Sequence, residues 1–570
     1  MITLGIHDGH TATAALVRDG RIVACISEER LNRKKEWSGF PALAARECFR
    51  IAGIDPGEVD GVGVVGLMQP SDHSAYYAPG LLKRGFGAAT RVLPRGFFQS
   101  HGWVGPAVAL GARLRRGDEI TAGLQALGVR AAPVFYEHHH LHAVTGHYAS
   151  WHGIDENLVL TCDGSGDAVC ATVSVFRGHH ATRLRTISTF NSIGEFYTLI
   201  TQYLGMKPMS HEYKVMGLAP YAKADYARET YDLVKDFFVV PPADPMMFVN
   251  ANGTWRWRYL DRFRTLFAGH RFDNIAWAAQ RVVEDVLVRW VQGCVRETGI
   301  RNVVLSGGVF LNVKANYEIF ANVPEIERLY ILPSGGDESL AMGAALLRGV
   351  RLGHTAVEPL GPLYLGPEYG EPEMRAALAD LPPGVSIDRR DDIDEVVGRE
   401  LAAGRVVARF AGRMEWGARA LGNRSILADP RSPDVLRKIN ESIKGRDFWM
   451  PFAPSILFER AHEYLVGLGG FRAPYMVMAF PTTDKARRDL RGALHPYDFT
   501  ARPQLVEEEW NAGYYQVLKT FEKATGVGGV LNTSFNLHGD PIVNTPADAV
   551  YTFRKSALDG LALGPYYVRR

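Results

Sequence analysis

The first third of the chain carries the same pattern of apolar and polar positions twice. Apolar residues 3–6 predict a strand that ends in a turn containing an acid and a glycine, and residues 12–27 then predict a hairpin. Residues 158–162 and 168–176 repeat this arrangement around a second such turn. A single copy would be an ordinary hairpin. Two copies indicate a duplicated domain with a cleft between its halves, and turns of this type bring the backbone close to a phosphate.

Two later strands each run into a glycine pair that opens a helix. Residues 302–305 and 328–332 predict these strands, and the helical period of apolar residues within 272–298 predicts a buried helix before them. A glycine pair between strand and helix presents bare backbone amides at a helix N-terminus, which suits a nucleotide. A tight crossing of packed helices is the structural alternative. The candidate nucleotide-binding residues are Ser306, Gly307, Gly308, Asn312, Gly335 and Gly336.

A run of histidines follows residues 133–136, which predict a strand. His138 and His142 are four positions apart, so on a helix their imidazoles lie on one face. Such a pair is half of a divalent-metal site, although a solvated polar turn has the same pattern. Asp163 at the end of the next predicted strand supplies a third ligand, and Asp337 at a predicted helix start supplies a fourth.

Glycine and proline are dense in residues 352–370, where we expect the boundary between domains 1–355 and 356–570. In the second domain, the strand predicted at 406–410 runs into an arginine- and glycine-rich loop, 412–425. A guanidinium matches a phosphate bidentately, so this loop and the amide-rich segment near the C-terminus suit anions. A solvated cationic surface would explain the charges but not the glycines and amides. The candidate anion-binding residues are Arg419, Lys444, Arg502, Asn532, Ser534 and His538.

Composition excludes several classes of function. The 570 residues include 64 basic and 62 acidic side chains, so no net field favours nucleic acid or an anionic membrane. The five cysteines form no CxxC pair and no signal segment is evident, which predicts a soluble cytoplasmic protein with reduced thiols.

Residues 61–66 match GxGxxG, but they lie in a β-branched strand, so we reject a dinucleotide fingerprint. Aromatic residues between 67 and 128 either line an acceptor pocket or pack a lid.

With these motifs, the chain resembles the O-carbamoyltransferase family over nearly its whole length. The resemblance implies an α/β fold in which a duplicated domain of the actin and sugar-kinase type precedes a YrdC-like domain that makes carbamoyl adenylate. It implies ATP and carbamoyl phosphate as co-substrates, magnesium with the ATP, and iron, or alternatively zinc, at the histidine site. The stretches that carry the resemblance are residues 10–20, 28–33, 137–142, 163–167, 213–220, 306–312, 334–339, 419–431, 444–454 and 532–541.

The resemblance also implies a two-step reaction. In the second domain the basic candidates, with Arg419 and Lys444 in catalytic roles, hold the phosphates while carbamate attacks the α-phosphate of ATP. In the first domain the glycine loops hold the adenosine, and the metal polarises the carbamoyl carbonyl. His10 is the candidate general base for the acceptor hydroxyl. The family often has an acid directly after this histidine, whereas this chain has Asp8 before it, and Asp8 is the alternative base.

No motif in the sequence identifies the acceptor. The resemblance implies a hydroxyl-bearing natural product of the kind modified in antibiotic biosynthesis, and neither nucleic acid nor a membrane is an expected partner. The sequence is compatible with a homodimer. Two other classes stay open at this stage. An actin-type sugar kinase or ATPase leaves the second domain and the histidine pair unexplained, and the near-neutral charge disfavours a tRNA-modifying protein or a non-catalytic binding module.

Overall fold

The computed structural model describes residues 1–68 and 106–570, and the chain divides into two compact units. The first unit comprises Met1–Val23 and Trp37–Leu360, and the second comprises Ala24–Glu36 and Gly361–Arg570. A short segment near the start of the chain therefore belongs to the second unit. The aromatic residues expected to line a pocket or pack a lid, Tyr76 to Trp103, lie outside the described residues, so their role stays a prediction.

Strands and helices alternate along the first 360 residues. Apart from short 3₁₀ turns, the described elements there are β1 (Ile2–His7), β2 (Thr13–Arg18), β3 (Arg21–Ser27), α1 (Glu29–Asn32), α2 (Ala42–Ala52), β4 (Gly61–Val65), α3 (Pro106–Ala126), β5 (Pro133–Tyr136), α4 (His138–Ala149), β6 (Asn157–Gly166), β7 (Val169–Arg177), β8 (His180–Ser188), α5 (Ile193–Tyr203), α6 (Glu212–Leu218), α7 (Ala224–Asp232), β9 (Phe238–Val239), β10 (Val249–Asn250), α8 (Tyr259–Leu266), α9 (Phe272–Thr298), β11 (Asn302–Ser306), α10 (Val313–Asn322), β12 (Arg328–Ile331) and α11 (Leu340–Arg351). Most of these elements build two sheets and the helices that cover them.

The two large sheets of the first unit share one topology. Their strand orders are β3-β2-β1-β4-β5 and β8-β7-β6-β11-β12. In the first sheet, β1 pairs antiparallel with β2 and parallel with β4, and β5 adds to β4 in parallel. In the second sheet, β6 pairs antiparallel with β7 and parallel with β11, and β12 adds to β11 in parallel. This repetition confirms the duplication predicted from the sequence. Because parallel strands end at the same edge, the turns after β6, β11 and β12 meet at one edge of their sheet.

Glycines on adjacent strands allow a helix to approach the first sheet closely. A Cβ at Gly5 would lie 1.8 Å from the carbonyl oxygen of Ala341, and one at Gly63 would lie 2.2 Å from that of Ala344. Both oxygens belong to α11, so only glycine permits this packing. The GxGxxG match at residues 61–66 therefore serves helix packing, in agreement with its rejection as a dinucleotide fingerprint.

The helix predicted at residues 272–298 is confirmed as α9 with the same bounds. Its apolar face is buried, with Leu287, Trp290 and Val291 fully inaccessible. The helix ends where Gly299 adopts the left-handed conformation with φ 70°. In the part of the chain that the structure describes, no helix is long and apolar enough to cross a membrane.

The second unit is built on one mixed sheet with the strand order β13 (Ser386–Arg389), β20 (Tyr566–Arg569), β19 (Gly560–Leu563), β14 (Val407–Phe410), β15 (Arg424–Ala428), β18 (Gly529–Ser534), β16 (Ala453–Leu457) and β17 (Gln504–Val506). Arg30 and Arg33 attach the early segment to this unit by donating to the carbonyl oxygens of Gly417 (2.7 Å) and Ile542 (2.7 Å). The described elements from residue 361 onward are α12 (Glu371–Leu378), β13 (Ser386–Arg389), α13 (Ile393–Ala402), β14 (Val407–Phe410), β15 (Arg424–Ala428), α14 (Pro433–Ile439), a π-helical turn (Asn440–Lys444), β16 (Ala453–Leu457), α15 (Ala461–Tyr464), α16 (Asp484–Asp489), β17 (Gln504–Val506), α17 (Ala512–Thr525), β18 (Gly529–Ser534), α18 (Pro546–Lys555), β19 (Gly560–Leu563) and β20 (Tyr566–Arg569).

Candidate functional site

Two carboxylates fix the point at which α4 begins. Asp167 accepts a hydrogen bond from the backbone N–H of His138 (2.8 Å). Glu137 accepts from the next two amides, those of His139 (3.0 Å) and His140 (2.7 Å). The first three N–H groups of the helix are therefore satisfied by side chains. The two negative carboxylates also lie at the positive end of the helix dipole, where they stabilise the helix. This capping sets the helical register that places His138 and His142 on one face.

The structure brings the four predicted metal ligands together. The Nε2 atom of His138 lies 3.1 Å from Nε2 of His142, 3.4 Å from Oδ2 of Asp163 and 3.5 Å from Oδ1 of Asp337. One donor atom from each of the four residues lies within 4.8 Å of all the others. His139 is not part of this group, because its two ring nitrogens bond Thr161 Oγ1 and the carbonyl oxygen of Val169.

The chemistry of this cluster fits a metal ion. With metal–ligand distances of about 2.1 Å, neighbouring ligand atoms lie roughly 3.0–3.4 Å apart, close to the separations that converge on His138. Two imidazole nitrogens and two carboxylate oxygens suit iron and zinc alike. The two histidines are buried, and the two acids are partly accessible, with side-chain exposures of 15% for Asp163 and 23% for Asp337. The open side of the site therefore lies where the carboxylates are.

Charge inside the cluster is balanced between imidazoles and carboxylates. Burial works against protonation of His138, but Asp337 and Asp163 outweigh it and raise the pKa of His138 to about 9. Burial likewise opposes ionisation of Asp163, yet the hydrogen bond from His138 and the neighbouring imidazoles lower the pKa of Asp163. A proton and a metal cation therefore compete for the same nitrogen.

The glycine loops predicted to hold the nucleotide meet beside this cluster. The N–H of Gly307 donates to the carbonyl oxygen of Gly335 (3.0 Å), and the N–H of Gly308 donates to Oδ1 of Asp163 (3.2 Å). Gly307 has φ 109°, and a Cβ there would lie 2.2 Å from the carbonyl oxygen of Cys162, so glycine is required. Ser306, which ends β11, is fully buried. The loops and the predicted metal ligands thus occupy one edge of the second sheet.

Asn312 and Gly336 hold the helix starts of these loops. The side-chain oxygen of Asn312 accepts from the N–H of Ala315 (3.1 Å) and so caps α10, while its amide donates to Gln280 (2.9 Å) on α9. The carbonyl oxygen of Gly336 accepts from the hydroxyl of Ser339 (2.8 Å). These contacts order the backbone around the loops.

The two candidate bases are in different environments. Both carboxylate oxygens of Asp8 accept hydrogen bonds from Arg116, at 2.9 and 2.5 Å. The same buried guanidinium donates to the carbonyl oxygens of Val65 (2.5 Å) and Gly66 (2.8 Å). Asp8 is therefore half of a buried ion pair that ties α3 to the ends of β1 and β4. The carbonyl oxygen of His10 contacts Nε2 of His7 at 3.1 Å.

Two residues of this region escaped the sequence analysis. His7 is completely buried at the end of β1; burial lowers its pKa, whereas Asp337 and Asp8 act in the opposite direction, so it lies within electrostatic range of the predicted metal ligands. Its position as a polar residue ending an apolar strand was a usable signal. Arg116 lies in a stretch without any pattern that singles it out.

In the second unit, two of the three arginines in the loop at residues 412–425 bind backbone carbonyl oxygens. Arg424 is fully buried and donates to the carbonyl oxygens of Ala411 (2.8 Å) and Gly412 (3.2 Å). Arg413 donates to the carbonyl oxygens of Leu365 (2.9 Å) and Gly366. Both guanidiniums therefore support the loop backbone, which leaves Arg419 as the loop arginine predicted to contact an anion.

Lys444 ends the π-helical turn and is buried. Its Nζ donates to the carbonyl oxygen of Ser534 (2.5 Å), to the carbonyl oxygen of Asn536 (2.9 Å) and to Oδ1 of Asn536 (2.6 Å). Burial lowers the pKa of Lys444 well below its usual value, and the positive charges of Arg446 and Lys35 lower it further. Lys35, in the basic run of residues 33–35, is a further residue that the sequence analysis did not select.

Arg502 belongs to the same group of cations. Burial lowers its pKa, and the neighbouring charges of Arg419 and Arg446 act in the same direction. Cations that repel one another in this way cost free energy when they are buried without an anion. We call Arg419, Lys444, Arg446 and Arg502 the cationic cluster.

The remaining candidates of the second unit have separate environments. The amide of Asn532 donates to the carbonyl oxygen of Ala420 (3.1 Å) and to the hydroxyl of Ser455 (3.0 Å), so it supports the arginine loop from below. Ser534 is the partner of Lys444 described above. His538 is exposed, and a Cβ on Gly445 would lie 3.8 Å from its ring, which puts it next to the residue that follows Lys444.

A duplicated α/β unit with a buried His/Asp cluster beside glycine loops, followed by a unit with a buried cationic cluster, is typical of an enzyme of group transfer. Comparison with known proteins identifies the family. The model of the carbamoyltransferase N-terminus matches residues 2–346, and that of the carbamoyltransferase C-terminus matches residues 398–570. The chain belongs to the carbamoyltransferase family and is a carbamoyltransferase. The repeated strand order confirms the α/β class and the duplication of the first unit, whereas the actin/sugar-kinase-like type of the first unit and the YrdC-like type of the second stay predictions.

Related proteins align with most or all of the chain. It is 33% identical to the nodulation protein NolNO of Sinorhizobium fredii over 576 residues, which is 99% of this chain and 79% of the relative. It is 33% identical to the nodulation protein NolO of Bradyrhizobium diazoefficiens over 437 residues, or 76% of this chain and 78% of the relative. Among solved structures, full-length HypF with bound phosphate and nucleotide matches with a TM-score of 0.33 and 12% identity, covering 62% of this chain and 56% of HypF.

Proposed function

We propose that the protein transfers the carbamoyl group of carbamoyl phosphate to a hydroxyl of a small natural product, with ATP consumed and carbamoyl adenylate as the intermediate. The observation that carries this proposal is the cationic cluster. Its charges act on one another: Arg446 lowers the pKa of Lys444, and Arg419 and Arg446 lower that of Arg502, in each case in addition to burial. Such a cluster is stabilised by a ligand with several negative charges, and ATP together with carbamoyl phosphate provides them.

The first step belongs to the second unit in this proposal. Water hydrolyses carbamoyl phosphate to carbamate and inorganic phosphate. A carbamate oxygen then attacks the α-phosphate of ATP, and pyrophosphate leaves as the bond between the α- and β-phosphates breaks. Arg419 and Arg502 bind the phosphate oxygens and bring the two anionic reactants together, which would otherwise repel each other. When the substrates bind, Lys444 gains an anionic neighbour. Its hydrogen bonds to the carbonyl oxygens of Ser534 and Asn536 order residues 534–536. His538 donates to a terminal phosphate, and magnesium accompanies the ATP.

The second step belongs to the first unit. The loops at Gly307 and Gly335 hold the adenosine with their backbone amides. A metal at His138, His142, Asp163 and Asp337 would supply Lewis-acid polarisation of the carbamoyl carbonyl; iron is our first choice and zinc the alternative. His10 takes the proton of the acceptor hydroxyl as its oxygen attacks the carbamoyl carbon, and AMP leaves with the electron pair of the broken C–O bond.

Incubation with ATP and carbamoyl phosphate tests the first step. We expect pyrophosphate only when both substrates are present, because carbamate is the nucleophile. Pyrophosphate formation from ATP alone, or phosphorylation of a sugar, would instead indicate the kinase or ATPase class. A screen of hydroxylated natural products for a mass gain of one carbamoyl group then identifies the acceptor.

A further inference from the structure

A buried carboxylate closes the loop that carries Arg419. Glu415 is 1% exposed, and its Oε1 accepts hydrogen bonds from the backbone N–H groups of Leu421 (2.7 Å) and Arg424 (3.1 Å). Glu415 lies before Arg419 in the chain, and both amides lie after it. One oxygen atom therefore joins the start of the loop to its end.

The carbonyl oxygens on the same stretch are held from the opposite side. The carbonyl oxygen of Ala420 accepts from the amide of Asn532 (3.1 Å), and that of Leu421 accepts from the amide of Gln504 (3.0 Å). The donors lie on β18 and β17, which are part of the central sheet. With its carbonyls fixed by the sheet and its amides fixed by Glu415, the backbone next to Arg419 has little freedom.

Charge is balanced beneath the loop by Arg424. Burial lowers the pKa of Arg424 to about 10, and the negative charge of Glu415 acts against that effect. The guanidinium also lies over the ring of Phe410, 3.6 Å from its centroid, and cannot turn towards the solvent. Glu415 therefore acts on this loop in two ways, through its hydrogen bonds to the backbone and through its charge on Arg424.

We propose that Glu415 is a positioning residue for the adenylate-forming step: it holds the backbone of residues 415–424 in the shape that aims Arg419 at a phosphate. This rests on the proposed function, in which Arg419 binds a phosphate of the substrates. A guanidinium contributes to such a step only when it is held in place before the ligand arrives, and a displacement of about 1 Å can cost on the order of a hundredfold in rate.

A double-mutant cycle on pyrophosphate affinity tests the proposal. Glu415→Gln keeps the size of the side chain but replaces the carboxylate, and we expect it to weaken binding of inorganic pyrophosphate about tenfold, with a similar fall in kcat/KM for pyrophosphate release. In the Arg419→Ala background the same change should weaken affinity by less than about twofold, because Glu415 acts through Arg419. Equal losses in both backgrounds would overturn the proposal.

Glu368→Gln is the matched control. Glu368 also acts electrostatically on Arg424, but it is exposed. If Glu415 acts by holding the loop backbone and not merely by its charge on Arg424, Glu368→Gln should leave pyrophosphate affinity unchanged. If Glu415→Gln does not fold, Glu415→Asp, which keeps the charge and loses reach, is put through the same cycle with the same expectation. A wild-type protein that binds pyrophosphate but forms none from ATP and carbamoyl phosphate would refute the proposed function, whereas an additive cycle would refute only the role of Glu415.

Discussion

The predicted metal ligands are the residues whose individual contributions can be separated most directly. We expect His138→Ala or Asp337→Ala to remove bound metal and to slow transfer from preformed carbamoyl adenylate, because each change deletes one of four converging donors. Pyrophosphate formation should continue in both variants. Metal analysis of the purified proteins measures the effect, with His180→Ala, an exposed histidine on β8, as the control. Full metal content in either variant would remove that residue from the proposed ligand set.

His10 and Asp8 differ in what a substitution should do. Because both oxygens of Asp8 accept from Arg116, we expect His10 to be the base. His10→Asn should lower transfer from preformed carbamoyl adenylate by about 10² to 10⁴ while nucleotide affinity barely changes. Asp8→Asn leaves the buried guanidinium without its counter-charge and should lower the free energy of unfolding.

Measuring both variants side by side decides between the two residues. Transfer rate, nucleotide affinity and thermal stability are recorded for each. A near-normal rate in His10→Asn, with the larger loss in folded Asp8→Asn, would make Asp8 the base instead.

Lys444 connects ligand binding to pH. Burial and nearby cations lower its pKa in the folded protein, so the folded state binds fewer protons than the unfolded chain, and folding stability rises with pH between the two pKa values. An anion in the cationic cluster favours the ammonium and raises that pKa again. We therefore expect ATP binding to take up protons, increasingly as the pH rises through the lowered pKa of Lys444.

Calorimetry in buffers of different ionisation enthalpy measures this uptake, at about pH 8, where the phosphates of ATP are fully ionised. Lys444→Arg is the control because a guanidinium stays protonated there. An unchanged uptake in Lys444→Arg would assign the proton to another group.

At the scale of elements, the start of α4 decides whether the histidine pair converges. Asp167 accepts from the amide of His138 and, at the end of β4, from those of Leu67 (2.9 Å) and Met68 (2.7 Å). We expect Asp167→Asn to lower metal affinity about 10- to 100-fold without removing a ligand, since it loosens the turn that positions His138. Metal titration of the apo protein measures this. Asp155→Asn, an exposed aspartate of the same unit, should bind as the wild type does, and equal affinity in Asp167→Asn would show that the helix start needs no such cap.

At the scale of the whole molecule, the two units are proposed to perform separate steps. We expect Arg419→Ala to reduce pyrophosphate release by about 10² to 10³, the effect typical of losing one charge-stabilising donor, yet to leave transfer from supplied carbamoyl adenylate largely intact. Arg437→Ala, on the exposed face of α14, is the control. Equal loss of both steps in Arg419→Ala would show that the division is wrong.

Local patterns in the sequence predicted much of this protein. The strand at residues 133–136, the helix at 272–298 and the repeated strand–turn–strand arrangement follow from spacing that depends only on neighbours along the chain. Spacing also selected His138 and His142, because a helix brings positions four apart together. Asp163 was selected because it lies at the end of a predicted strand, and Asp337 because it lies at a predicted helix start.

Only the tertiary structure decided which basic side chains support the backbone and which lie beside other cations. Arg424 and Arg419 have the same chemistry and lie in one loop, but packing buries Arg424 against Phe410 and leaves Arg419 beside Arg502. Likewise, nothing local sets Arg116 apart, because its partners Asp8 and Val65 are far away in sequence. Short-range spacing fixes the elements of this protein, whereas burial, hydrogen bonding and compensation of charge between distant segments fix the roles of its residues.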